Sequence, residues 1–201
     1  MNALLSTTYF GPVQWYQKLH RADMAWIEGH ERFQKQTYRN RCTIATANGP
    51  QTLSVPVVHQ EGGSIRDVRI SDHGNWRHVH WNALASAYGE SAFFLYYADE
   101  LRPFFERKWE FLFDFNMEIT MKMCEWLDIK PHMETTRSFA AMPEKGVSDF
   151  RQAINPKHPA ADDDFCPTAY YQVYAGRQGF LPNMSILDLI FNMGNESIFW
   201  L

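Results

Sequence analysis

The chain has 201 residues, 45% of them hydrophobic and 15% aromatic, enough to bury a full core without disulfide or metal staples. Its formal net charge of −4 and pI near 6.0 argue against general binding to nucleic acid or to anionic membrane surfaces. No run of about 18 apolar residues occurs, and residues 1–10 carry no basic, apolar leader, so neither membrane insertion nor export is expected.

Residues 4–9 form a short apolar, β-prone run closed by Gly11-Pro12, after which Val13, Tyr16, Gln17 and Leu19 follow at helical spacing. Residues 24–27 are apolar again, so this opening stretch predicts a βαβ unit with parallel strands and a right-handed crossover. Residues 9–12 then fall at the carboxyl end of the first strand, the edge where open α/β sheets tend to take ligands. Residues 42–46 and 52–58 read as a hairpin around the Asn48-Gly49 turn signal, and the alternation through 65–70 as one more strand. Helical stretches follow at 76–88, at 92–105, where Pro103 ends or kinks the pattern, and at 109–127. Residues 131–168 are Pro-rich and aperiodic and carry the acidic run Asp162-Asp163-Asp164, so they read as a long loop or insertion. Finally, Pro182-Asn183-Met184-Ser185 offer an N-cap to a short amphipathic helix that Gly194 stops. The expected fold is a single α/β domain over residues 1–201. Its N-terminal βαβ unit is extended by the hairpin into a mixed sheet and followed by a helical C-terminal half.

The three cysteines, Cys42, Cys124 and Cys166, lie far apart and outside any CxxC pair, which fits a reducing compartment and gives the cytoplasm as the expected location. The densest polar cluster is Lys35-Gln36-Thr37-Tyr38-Arg39-Asn40-Arg41. Guanidinium offers a planar fork of donors and Lys a mobile charge, so such a loop can clamp a phosphate or carboxylate; the alternative is a solvated basic turn. A second cluster, Trp76-Arg77-His78-Val79-His80-Trp81, sets two histidines between tryptophans. His80 or His78 is the candidate for proton transfer near neutral pH, against a packed core histidine beside Trp81. On a helix, positions i and i+2 point about 200° apart, and no carboxylate or cysteine stands at fitting spacing, so no metal site is expected. The third cluster is Asn183, Ser185, Asp188 and Asn192, where Ser185 and Asp188 also match the form of a capping box. GxGxxG, GxxxxGK[ST] and HExxH are missing, which counts against a dinucleotide-fold dehydrogenase, a P-loop enzyme and a zincin, and no G-x-S-x-G surrounds Ser185 to mark it as a nucleophile.

Together these pieces resemble the WbqC-like protein family along nearly the whole chain. The residues that carry the resemblance are Tyr9-Phe10-Gly11-Pro12 with Tyr16, Lys35 with Tyr38-Arg39-Asn40-Arg41, Trp76 and His80-Trp81 with Tyr88, and residues 180–189. Thr7-Thr8 and Trp15 depart from the family's pattern, and an indole at position 15 fills space near the first turn that a glycine leaves open. The resemblance implies a place in surface-polysaccharide biosynthesis and, for some members, transfer of an acyl or aminoacyl group to a nucleotide-linked amino sugar; the reading taken from it is a small transferase acting on an activated, nucleotide-linked sugar or acyl donor. It brings no agreed catalytic residues and leaves the cofactor unknown. On this reading Lys35, Tyr38, Asn40 and Arg41 hold the anionic part of a small-molecule substrate. His80 transfers a proton, and Trp81, Asn183, Ser185 and Asp188 complete the wall. The alternative is a non-catalytic protein that binds a glycan precursor or a protein partner. A fainter likeness of the βαβ unit to nucleotidylyltransferases stops at the fold, because residues 12–20 lack that group's histidine pair.

Overall fold

A computed structural model describes residues 1–58 and 62–201. Strand β1 (Asn2–Ser6) leads into helix α1 (Val13–Arg21) and strand β2 (Met24–Glu28), which lies parallel to β1 with Leu4 opposite Trp26. This is the expected βαβ unit. Helix α1 buries nearly everything it carries. Val13, Trp15, Tyr16 and Leu19 enter the core, while the buried Gln14 and Lys18 donate to Asp162 at 2.7 and 2.8 Å. The acidic run thus contributes a carboxylate that neutralises a cation under the surface.

The antiparallel hairpin forms as β3 (Arg41–Thr46) and β4 (Gly49–Ser54), so the molecule is of the α/β class with parallel and antiparallel strands. Its turn is tighter than the sequence suggests: only Ala47 and Asn48 separate the strands, and Gly49 takes the left-handed φ of 101°. The hairpin pairs with itself as a separate ladder. The parallel sheet is widened instead by β5 (Met133–Thr135) and β6 (Val147–Asp149), in the order β5-β2-β1-β6. Both strands come from the aperiodic segment 131–168. The strand expected through 65–70 is replaced by a 3-10 turn at Ile65–Asp67, because Asp67 Oδ2 accepts from the backbone and hydroxyl of Ser64, at 3.2 and 2.9 Å.

Helices α2 (Trp76–Tyr88), α3 (Phe94–Leu101), α4 (Pro103–Glu106) and α5 (Leu112–Trp126) follow the expected stretches. Pro103 opens α4, where its missing N–H costs no helical bond. A short helix α6 (Ala175–Gln178) precedes α7 (Ile186–Met193), whose cap is Ser185. Among the described residues no helix is long and apolar enough to cross a membrane.

Candidate functional site

The residues between β2 and β3 form a loop without regular structure that is nonetheless tied down along its length. Glu31 and Arg39 make a buried, two-pronged ion pair, and Arg39 also donates to Ser6 Oγ at 2.7 Å. The backbone carbonyls of Glu31, Tyr38 and Arg39 accept from Ile65, Tyr9 and the Asn116 side chain at 2.7, 2.9 and 2.8 Å. Asn40 locks the exit, its amide donating to the Val55 carbonyl at 2.8 Å while Val55 N donates back at 2.7 Å. A loop held this way keeps its shape before a ligand arrives, so little ordering is required on binding.

Between this loop and the chain after β4 lies a cavity of about 680 Å³. Arg32, Lys35, Gln36, Asn40 and Arg41 line its polar side, and Phe33, Val55, Val57 and Val68 its apolar side. No carboxylate is among its described lining residues, and Arg32, Lys35 and Arg41 make no ion pair among the described residues. Arg41 Nε and Asn40 Oδ1 are buried without a hydrogen-bond partner among the described residues. The Arg41 donor and the cations of Arg32 and Lys35, on the wall of a volume of small-molecule size, suit an anionic group with an apolar or sugar body, and the Asn40 oxygen is left to accept from a hydroxyl.

The other residues marked by the sequence do not line this cavity. Tyr38, half-buried, has its hydroxyl pushed up to about 12 by burial, with Cys42 adding to the effect. His80 is buried behind the hairpin. Tyr9 Oη lies 2.8 Å from its Nδ1, Trp76 packs edge-on to the ring, and burial lowers its pKa to about 4 against an opposing hydrogen bond to the Ser54 backbone. It is linked to the cavity through Ser54, which lines it. Trp81 faces a different cavity, under the guanidinium of Arg102.

Asn183 and Ser185 gather elsewhere again, around the start of α1, and Asp188 is buried against Tyr170 and Gln172. Asn183 exchanges hydrogen bonds with Gln14, accepting from its backbone N–H at 3.0 Å and donating to its side chain at 3.1 Å. Ser185 donates to the Phe10 carbonyl at 2.8 Å and caps α7 through Leu187 N at 3.3 Å. Asp188 is fully buried and accepts from Tyr170 and Gln172 at 2.6 and 2.7 Å; burial raises its carboxyl even so. The capping box read from Ser185 and Asp188 is therefore half-formed, since Asp188 turns inward.

Residues 9–12, expected at a ligand-binding edge, are buried. The donors of Val13 and Gln14 at the start of α1, which a phosphate would need, are taken by the Met184 carbonyl and Asn183. Trp15 fills the remaining space, its indole N–H on the Ser6 carbonyl at 2.9 Å. The carboxyl edge of the sheet is instead open further along. A second cavity of about 530 Å³ there shares Arg32 with the first and is lined also by His30, Glu31 and Arg151. Arg151 is buried and donates to Asp149 and Glu28. Arg32 stands just outside the polar run 35–41, and Arg151 lies in the aperiodic segment, so neither carries a signal in the sequence beyond its charge.

A family model described as the WbqC-like protein family matches residues 7–158. The match takes in the loop, His80 and Trp81 and leaves out residues 159–201, where Asn183, Ser185 and Asp188 lie. "Uncharacterized protein Rv1507c" of Mycobacterium tuberculosis (strain ATCC 25618 / H37Rv) is 29% identical over 192 residues, spanning 82% of this chain and 81% of the relative. No solved structure shows a significant match.

Proposed function

The chain belongs to the WbqC-like protein family, and we propose that it is a cytoplasmic transferase of surface-polysaccharide assembly that binds an activated, nucleotide-linked sugar or acyl donor in the 680 Å³ cavity. The observation that carries the binding step is the set of three cations, Arg32, Lys35 and Arg41, on one wall without carboxylates among its described residues. Lys35 and Arg41 hold the donor's phosphate, Asn40 shapes the exit of the loop, and the valine wall takes the less polar body. Transfer and the polysaccharide setting rest on the family resemblance.

The test is thermal unfolding in the presence of nucleotides, nucleotide sugars and acyl carriers. A ligand at 100 times its dissociation constant stabilises the fold by about 2.7 kcal/mol. At least one nucleotide sugar or acyl carrier is expected to do so, with the effect lost in Arg41→Ala and Lys35→Ala. Absence of any shift, or a shift that survives both substitutions, overturns the proposal.

The position of His80 favours a second reading, a non-catalytic protein that holds a glycan precursor or a protein partner. Its ring is walled off by Tyr9, Trp76 and Ser54 rather than presented to the cavity. Single-turnover incubation of the bound donor with candidate acceptors separates the two: product formation supports the transferase, and binding without turnover supports the carrier.

A further inference from the structure

A cavity of about 460 Å³ at the start of α2 shares no residue with the one on the loop. Two arginines frame it, each laid over an indole: Arg77 over Trp76 at 4.7 Å and Arg102 over Trp81 at 4.9 Å from the ring centroid. Stacking fixes the plane of a guanidinium and leaves its in-plane N–H groups for other partners. Arg77 donates from Nη1 to Asp72 at 2.8 Å, while its Nε and Nη2 are buried with no hydrogen-bond partner among the described residues. Arg102 is exposed and makes no ion pair among the described residues. Helix α2 has no side-chain cap and no acidic residue in its first turn, and its ladder starts with Val79 N–H on the Asn75 carbonyl. The N–H groups of the first turn before Val79 are therefore left over by the helix. Asp72 is already neutralised by Arg77 and Lys108, which leaves Glu106 as the carboxylate in the lining.

We propose that this cavity is a binding site for a phosphomonoester of a small hydroxyl-bearing molecule. Two guanidiniums and a helix start supply more donors than a planar carboxylate can use, and a tetrahedral dianion accepts from all of them. Glu106 accepts from a hydroxyl on the same ligand, which distinguishes an esterified phosphate from the free ion. The site stands without the donor-binding reading of the loop.

The experiment is calorimetric titration of the full chain with inorganic phosphate and with glucose 1-phosphate, the latter expected to bind more tightly. Arg102→Ala, and Arg102→Gln as a milder change at the same exposed position, should weaken both by roughly tenfold or more. Glu106→Gln should weaken the ester while sparing phosphate, and the loss caused by Arg102→Ala should persist in an Arg41→Ala background. Failure of the wild-type chain to bind either probe, or unchanged affinity in both Arg102 variants, overturns the proposal. Loss in Arg41→Ala alone does so as well, and assigns the anion to the loop cavity.

Discussion

His80 is the residue whose chemistry the fold alters most plainly. Burial disfavours the imidazolium by more than its hydrogen bond to Ser54 favours it, so the folded ring has a pKa of about 4 against an ordinary 6.5. Above pH 6.5 the ring is neutral in both states. As the pH falls from 6.5 to about 4 the unfolded chain takes the proton first, and stability is lost by about 3 kcal/mol. Urea denaturation at pH 7 and pH 4.5 should show wild type losing about 2 to 3 kcal/mol more than His80→Gln; equal losses would show that the ring is not the source. Asp188 works in the opposite sense. Its raised pKa means that stability diminishes as the pH rises through the carboxylate range. Asp188→Asn keeps an acceptor for Tyr170 and Gln172 and should be tolerated at pH 7. Asp188→Ala strands both donors and should cost on the order of 3 kcal/mol, read from the same denaturation curves.

The loop between β2 and β3 shows at the scale of an element what the sequence could and could not reveal. Lys35, Asn40 and Arg41 stand out in the sequence as part of a dense polar cluster and line one cavity. Arg39, from the same run, is buried against Glu31, a pairing that spacing cannot distinguish from a solvated charge because it depends on where Ser6 and Ile65 close over it. The βαβ unit and the helices were legible because their periodic apolar faces extend over several residues. Strands β5 and β6 were not, since three residues each give no period and their pairing to β2 and β1 comes from distant parts of the chain. If the Glu31–Arg39 pair holds the loop open, Glu31→Gln leaves a buried guanidinium half-paired. It should cost about 3 kcal/mol and weaken whatever anion the loop binds. Calorimetric melting with a parallel binding titration checks both, and a variant that melts like wild type would show that the pair is not what fixes the loop.

At the scale of the whole molecule, the segment before α7 stitches together parts that are far apart in the chain. Val13 N donates to the Met184 carbonyl at 3.0 Å, Ile186 N to the Gly11 carbonyl at 2.8 Å, and Ser185 N to the Thr43 carbonyl on β3 at 2.8 Å. Ser185 Oγ adds its bond to Phe10. Asn183 and Ser185 act as joints, and their chemistry explains the bonds: Ser and Asn side chains answer backbone groups that a turn and two helix starts leave over. These joints make the start of α1, the hairpin and α7 depend on one another, so the chain should melt in one transition, with calorimetric and van't Hoff enthalpies agreeing. Ser185→Ala removes a helix cap and the bond to Phe10 and should cost about 2 kcal/mol. Because Ser185 joins the two ends, the loss should lower the midpoint of that single transition and leave it undivided. A second, earlier transition in the variant would show that α7 melts by itself and that the N-terminal sheet holds without it.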